Sequence, residues 1–208
     1  MIPKIIHQIW VGDKNPPEQY LESWKSLPGF KYKLWTEENL KTVGMLNQDK
    51  YDYFLDKKIY HGAADIARVE ILFHEGGFYV DADTKRLKLL PQDWFDKDFF
   101  AVEAYESPKW KYRVTNGHMG SEAGGKLITE YRQQIRTAKK WQPCWSTIGG
   151  TMLTNIITEQ FRDDPKTLIL EPYTFYPTDM KGNAIDDPRV SEAYATHVWG
   201  SKNKELYT

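Results

Sequence analysis

Asp81 and Asp83 stand one residue apart at the end of the run Gly76-Gly77-Phe78-Tyr79-Val80-Asp81-Ala82-Asp83. If that run is a strand, side chains alternate between its faces, so Tyr79, Asp81 and Asp83 share one side while Phe78, Val80 and Ala82 can be buried on the other. Two carboxylates side by side repel unless a cation lies between them. A hard divalent ion is the natural candidate, and such ions also hold substrate phosphates. A bare Asp-x-Asp also arises in solvated loops, so its meaning depends on what surrounds it.

Asp65 and Arg68 lie three residues apart in a helical pattern leading into Gly76-Gly77, and therefore share a helix face. One reading is a surface ion pair of little energetic value. The other is that both groups enter the same pocket as the Asp-x-Asp pair, with Arg68 facing phosphate or sugar oxygens and Asp65 accepting hydrogen bonds from sugar hydroxyls. His7, Gln8 and Trp10 end the first apolar run, and ligands of open α/β sheets bind at the carboxyl ends of strands. Trp10 is either a core side chain or a flat surface for a nucleobase. His197, far along the chain, is an ordinary histidine or a neutral imidazole ligand, which suits manganese better than calcium.

These groups need elements to hold them. Ile5 to Val11 reads as a buried strand, Pro17 starts a helix through Leu27, Phe30 to Trp35 alternates as a strand, and Thr36 precedes a helix beginning Glu37-Glu38. Strand and helix in alternation imply an α/β fold with parallel strands. A helix is predicted over Ala63 to Glu75, ended by Gly76-Gly77 as a C-cap. Further on, the pattern predicts a strand at Phe99 to Val102, helices over Lys126 to Lys140 and after Gly149-Gly150, and a late strand at Leu168 to Leu170. Tyr51 to His61 has no clear assignment. With no repeat, low-complexity tract or linker, 208 residues read as one domain over 1–208.

The 28 basic and 29 acidic residues leave a net charge of -1, so no basic field suggests nucleic-acid binding, and a phosphate ligand must be met by a local site. The single cysteine, Cys144, excludes an internal disulfide and reads as a small buried hydrophobe. No stretch approaches the roughly 20 apolar residues of a transmembrane segment. Met-Ile-Pro-Lys leads into a strand without a signal-peptide pattern, so a soluble, cytoplasmic protein is the expectation.

In order, Ile2-Pro3-Lys4-Ile5-Ile6-His7-Gln8-Ile9-Trp10, Ala64-Asp65-Ile66-Ala67-Arg68, Gly76-Gly77-x-Tyr79-x-Asp81-x-Asp83 and His197-x-Trp199-x-x-Ser201 span most of the chain. Together they resemble glycosyltransferase family 32, the Asp-x-Asp sugar transferases that include OCH1-like α-mannosyltransferases and capsular polysaccharide enzymes. The middle block also resembles the glucosylating domain of large clostridial toxins. The resemblance implies a GT-A fold, a single Rossmann-like nucleotide-sugar-binding domain with a mixed, mainly parallel central sheet. It further implies Mn²⁺ or Mg²⁺, retention of anomeric configuration, and a role in polysaccharide biosynthesis. Its nucleotide-sugar donor would be a UDP-sugar, with GDP-mannose as the alternative, and its acceptor a glycan or lipid-linked saccharide.

By the same resemblance, His7, Gln8 and Trp10 would lie at the donor, with Trp10 stacking on the base. Asp65 and Arg68 would hold the donor sugar and Tyr79 would reach the ribose or diphosphate. Asp81 and Asp83 would serve metal and ribose, Asp83 the more direct ligand and, with Asp65 and Arg68, part of the catalytic set. Asn116 would lie near the donor sugar or acceptor. A tail from 194 to 208 would close the donor site, with His197 or Ser201 completing the metal shell and Trp199 covering the diphosphate. Thr147-Ile148-Gly149-Gly150 replaces the family's usual Gly-Pro pair, and Ala64 stands where Ser is frequent. Two rival readings of the same residues stand beside the resemblance. One is a haloacid-dehalogenase-like phosphatase with Asp81 as nucleophile, Asp83 as general acid and a later acid from Asp163-Asp164 or Asp186-Asp187. The other is a nucleotide-sugar or glycan-binding module without turnover.

Overall fold

A computed structural model describes residues 1–105 and 112–198. In chain order the strands are β1 (Ile5–Ile9), β2 (Lys31–Trp35), β3 (Gly77–Val80), β4 (Thr84–Arg86), β5 (Phe99–Glu103), β6 (Val114–Ser121), β7 (Thr167–Leu170) and β8 (Ala195–His197). The α-helices are α1 (Glu18–Lys25), α2 (Glu37–Leu40), α3 (Gln48–Asp56), α4 (Tyr60–Glu75), α5 (Lys126–Thr137), α6 (Cys144–Thr147) and α7 (Gly150–Ile156).

Six strands form one sheet in the order β2-β1-β3-β6-β5-β7. The pairs β1–β2, β1–β3 and β5–β7 are parallel, whereas β6 runs antiparallel to both of its neighbours. Five strands thus share one direction and β6 alone opposes them, which is the mixed, mainly parallel α/β sheet expected. Period-two alternation divides β3 between two apolar layers: Phe78 and Val80 join Ile6, Trp24, Phe100 and Phe175 on one face, while Tyr79 joins Ile66, Val69, Met119 and Tyr131 on the other.

Helix α4 delivers the chain to β3. It is apolar around most of its circumference because it packs against α3 and α5 as well as the sheet, and Ile66, Val69, Ile71 and Leu72 are fully buried. Gly76 (φ 64°) donates its N–H to Leu72 O at 3.0 Å and ends the helix. Gly77 (φ 97°) follows so close to β1 that a Cβ would stand 2.7 Å from His7 Nε2 and from Ile5 O. Only glycine fits both the backbone angle and the space, so the Gly-Gly pair sets the helix against the strand.

Several boundaries differ from the sequence reading. The Asp-x-Asp pair is not on the strand: β3 stops at Val80, and Asp81 to Asp83 form the turn into β4. Helix α4 begins at Tyr60, ahead of the predicted Ala63, and α3 fills part of the unassigned Tyr51 to His61 stretch. Helix α5 stops at Thr137 rather than Lys140. Strand β6 and the two-stranded sheet β4–β8 have no counterpart in the sequence reading. Among the described residues, no helix is long and apolar enough to cross a membrane.

Candidate active site

The turn after β3 is the centre of the site. Asp81 leaves the strand with its N–H donated to Gly117 O at 2.9 Å, and Thr84 N–H closes the turn onto Asp81 O at 3.0 Å. The two carboxylates therefore converge through a turn rather than through strand alternation. The tail meets this turn directly. Strand β8 pairs antiparallel with β4, His197 opposite Thr84, and Val198 donates its N–H to Asp83 O at 2.9 Å. His197 Nε2 consequently lies 3.1 Å from Asp83 Oδ1 and 3.6 Å from Asp81 Oδ2.

Ligand atoms of Asp81, Asp83 and His197 all fall within 4.8 Å of one another. Two carboxylate oxygens and an imidazole nitrogen suit Mn²⁺ well and Mg²⁺ adequately, so the residues present fit a divalent ion. The electrostatics agree with a place for positive charge. Burial alone would lower the basicity of His197, but Asp83 and then Asp81 override it and raise its pKa to about 10.

A second group of side chains adjoins the first. Arg68 NH2 lies 3.3 Å from Asp81 Oδ1 and 3.4 Å from Asp65 Oδ1. Its Nε donates to Ala64 O at 3.1 Å, its NH1 donates to Asn116 O at 2.7 Å, and its guanidinium sits 4.5 Å from the centroid of the Tyr79 ring. Tyr79 OH donates to Asp81 Oδ1 at 2.7 Å, and Asn116 Nδ2 donates to Asp65 Oδ1 at 2.7 Å. Burial works against ionising Asp81, yet Arg68 and His197 hold its carboxyl well below the usual range. For Asp65 burial dominates the opposing pull of Arg68 and Asn116, and its pKa is raised. Arg68 keeps its proton despite burial because Tyr79, Asp81 and Asp65 surround it.

All of these groups face one cavity of about 770 Å³. Trp10, at the end of β1, lines its other side, with Nε1 donated to Lys14 O at 2.6 Å. An indole surface, a cluster able to hold a divalent cation and an arginine beside a buried carboxylate share one cleft at the carboxyl ends of β1 and β3.

Residues 16–101 match the family model described as "Glycosyltransferase sugar-binding region containing DXD motif". An uncharacterized glycosyltransferase of Acanthamoeba polyphaga mimivirus is 36% identical over 208 residues, covering 95% of this chain and 82% of that protein. The chain belongs to the DXD glycosyltransferases. Inositol phosphoceramide mannosyltransferase 1 of Schizosaccharomyces pombe is 34% identical over 157 residues, or 62% of this chain, which spans only 46% of that relative. Among solved structures, the PaToxG glycosyltransferase superimposes with a TM-score of 0.62 at 16% identity, covering 77% of this chain and 70% of its own. At that identity the likeness carries the GT-A fold alone.

The structure of this glycosyltransferase brings Trp10, Asp65, Arg68, Tyr79, Asp81, Asp83, Asn116 and His197 to the cleft. It does not bring His7 and Gln8 there, which corrects the sequence reading. His7 is fully buried: Nδ1 accepts from Trp35 Nε1 at 3.0 Å, so Nε2 carries the proton and donates to Gly76 O at 2.9 Å. Gln8 accepts from Tyr32 OH at 2.9 Å and points its amide at Asp81 O, 3.4 Å away. Both follow the alternation of β1 into the protein, where they fix the sheet beneath the site. Trp199 and Ser201 lie outside the described residues.

The cleft also contains residues that sequence reasoning missed, among them Lys58, Tyr60, His61, Cys144 and Trp145. Cys144 is buried as expected, and burial followed by Asp65 pushes its thiol up to about 12, too basic for a nucleophile at neutral pH. None of Asp163, Asp164, Asp186 and Asp187 lines the cleft. Asp164 caps Lys166 N–H and Asp187 pairs with Arg189, so the phosphatase reading has no later acid at its proposed site.

Proposed function

We propose that this glycosyltransferase transfers a hexose, with retention of configuration, from a nucleotide-sugar to a hydroxyl of a glycan or lipid-linked saccharide, using Mn²⁺ or Mg²⁺. A UDP-sugar is the favoured donor, on the likeness of the central block to the toxin glucosylating domains. GDP-mannose is the alternative, supported by the mannosyltransferase name of one relative, whose inositol phosphoceramide substrate also keeps a lipid-linked acceptor in view. Polysaccharide or glycolipid assembly follows as the process served. The observation that carries the reading is the Asp81–Asp83–His197 cluster opening into the same cavity as Trp10, Asp65 and Arg68. A binding module without turnover has no need of that full set.

Asp81, Asp83 and His197 would hold the ion, which supplies charge stabilisation to the diphosphate as the sugar–oxygen bond breaks. Arg68, fixed by Asn116 O, Asp65 and Asp81, presents a permanent positive charge where the leaving oxygen becomes negative. Asp65, pinned by Asn116 and Arg68, orients sugar hydroxyls. Tyr79 holds Asp81 and supports the face of Arg68. Trp10 receives the base. The leaving phosphate oxygen takes the acceptor proton, so no side chain needs to act as a general base.

The test is hydrolysis without acceptor. The full chain is incubated with UDP-glucose, UDP-galactose, UDP-N-acetylglucosamine or GDP-mannose and Mn²⁺, and nucleoside diphosphate release is measured. One donor turning over, with activity lost on chelation and the α-anomer as first product, supports the proposal. Turnover of none, or undiminished turnover in chelator, overturns it.

A further inference from the structure

We infer that His118 is a positioning residue for the Asp81–Asp83–His197 cluster: its two ring nitrogens join the start of β4 to Tyr176 and hold the Asp83 and His197 arms at ligating distance. The inference rests on the metal reading of that cluster given above.

A β-bulge places His118. Strands β5 and β6 change register between Ala101, which faces Met119, and Val102, which faces Thr115, so Asn116 to His118 have no partners on β5. Bulges re-aim side chains and are frequent next to active sites. Each of these three residues touches the site in its own way. Asn116 holds Asp65 and Arg68, Gly117 accepts the Asp81 N–H, and His118 lies beneath the turn that follows.

The hydrogen-bond directions around His118 are fixed without choice. Thr115 Oγ1 donates to Val102 O at 3.0 Å, because a carbonyl only accepts. Tyr176 OH, 2.8 Å from Thr115 Oγ1, must then be the donor of that pair. Its oxygen accepts from His118 Nδ1–H at 2.9 Å. His118 Nε2 is therefore unprotonated and accepts from Thr84 Oγ1 at 2.9 Å. The imidazole is held in one tautomer between two hydroxyls, and no other uncharged side chain of its size offers a donor and an acceptor at opposite edges of a rigid ring.

Both hydroxyls belong to the cluster's framework. Thr84 follows Asp83 directly, is fully buried, faces His197 across the β4–β8 pair, and has its carbonyl held by Trp24 Nε1 at 2.8 Å. Tyr176 follows Phe175, whose carbonyl accepts the His197 N–H at 3.1 Å. The His118 ring stands edge-on to His197, centroids 5.6 Å apart at 85°. His118 thus ties the segment that carries Asp83 to the segment whose Phe175 carbonyl holds the His197 backbone. A packing role alone would need only a ring of this size, whereas His118 also satisfies the buried hydroxyls of Thr84 and Tyr176.

The experiment titrates the full chain with Mn²⁺ alone and follows free ion by electron paramagnetic resonance. His118→Phe keeps a ring and removes both hydrogen bonds. Thr84→Val removes one hydroxyl and keeps the shape, and it carries the test if His118→Phe does not fold. Outer-shell partners of metal ligands typically contribute about 10- to 100-fold in affinity. The Mn²⁺ Kd is expected to rise about tenfold or more in each variant. In the double variant it should rise no further than in the worse single, because both cut the same link. A Kd unchanged in either variant, or additive losses, overturns the inference even if thermal stability falls. A parent chain that binds no Mn²⁺ overturns both this inference and the metal reading, whereas equal binding by parent and variants overturns this inference alone.

Discussion

His197 Nε2 stands 3.1 Å from Asp83 Oδ1, although more than a hundred residues of sequence separate the two. The contact is made by backbone, not by chance approach of side chains. The β4–β8 pair sets His197 against Thr84, and the Val198 N–H on Asp83 O closes the arrangement from the other side. One face of the cluster is thereby built from the middle of the chain and the other from its tail, and both depend on a two-stranded sheet of only three residues a strand.

Asp83→Asn is predicted to remove most divalent-cation binding. The amide keeps size and shape but brings an NH₂ donor and loses the charge, leaving Asp81 and His197 as an incomplete pair. The loss in Mn²⁺ affinity should exceed the roughly 10- to 100-fold attached to outer-shell partners, and donor hydrolysis at low Mn²⁺ should fall with it. Full-strength Mn²⁺ binding by the variant would show that the ion is held elsewhere.

Gly117→Ala probes the same cluster from below. A Cβ at Gly117 would meet Asp81 Oδ2 at 2.5 Å and Asp81 Cγ at 3.3 Å. The carboxylate must move, away from Tyr79 OH and Arg68, which it now contacts at 2.7 and 3.3 Å. Overpacking of this kind typically costs about 1–3 kcal/mol. The specific expectation is that the Mn²⁺ requirement for half-maximal turnover rises, while nucleotide binding measured in chelator is unchanged. Wild-type Mn²⁺ dependence would refute the idea that this glycine exists to admit Asp81.

His7 gives a stability prediction with a defined pH window. Burial lowers its folded pKa to about 4, ahead of the smaller opposing effects of Glu75 and the Gly76 carbonyl. Its unfolded value is about 6.5. Between those limits the unfolded chain binds more protons than the folded one, so stability rises with pH, is complete above about 6.5, and is lost as pH falls toward 4. The shift corresponds to roughly 3 kcal/mol. Urea unfolding of the parent and of His7→Gln between pH 4 and 7 should show the slope in the parent and a flatter dependence in the variant. Parallel profiles would mean that His7 does not carry the effect.

The membership of the cleft is legible in the sequence where several chemistry-bearing residue types fall in order along the chain. Asp65, Arg68, Tyr79, Asp81, Asp83 and Trp10 all line the cleft; each is ambiguous alone, and it is a charged pair at helical spacing, an Asp-x-Asp run and a tryptophan at a strand end taken together that point to one site. The geometry behind them was less visible. The Asp-x-Asp pair reads as strand because Phe78-Tyr79-Val80 is strand, and nothing local reveals that pairing stops at Val80. His7 and Gln8 lie at the favoured end of β1, but their direction depends on Trp35 and Tyr32 from β2, which no local pattern encodes. Strand β6 is hidden in the sequence because Asn116-Gly117-His118 lacks alternation: it is a bulge whose polar residues serve the cleft and the turn. The residues least like a regular strand are thus among those nearest the chemistry, as expected where function overrides local propensity.

Arg68→Ala tests which charge meets the leaving group. Arg68 is fully held in place, by Ala64 O, Asn116 O and the Tyr79 ring, so its guanidinium needs no rearrangement to act. Preorganised positive groups of this kind act most strongly on charge that appears in the transition state, and removing one typically costs about 10²–10³ in kcat. The predicted pattern is therefore a kcat loss of that order with KM for the donor changed far less. Arg68→Lys should recover little, because a lysine ammonium lacks the planar fork that spans Asp65, Asp81 and Asn116 O together. The alternative is a structural role, in which Arg68 only neutralises the buried Asp65 and the half-buried Asp81. That would appear as lost thermal stability and weakened Mn²⁺ binding, with kcat at saturating metal and donor close to the parent's. Measuring kcat, donor KM, Mn²⁺ Kd and melting temperature on the same two variants separates the roles, and kcat preserved at saturation would remove Arg68 from the catalytic set.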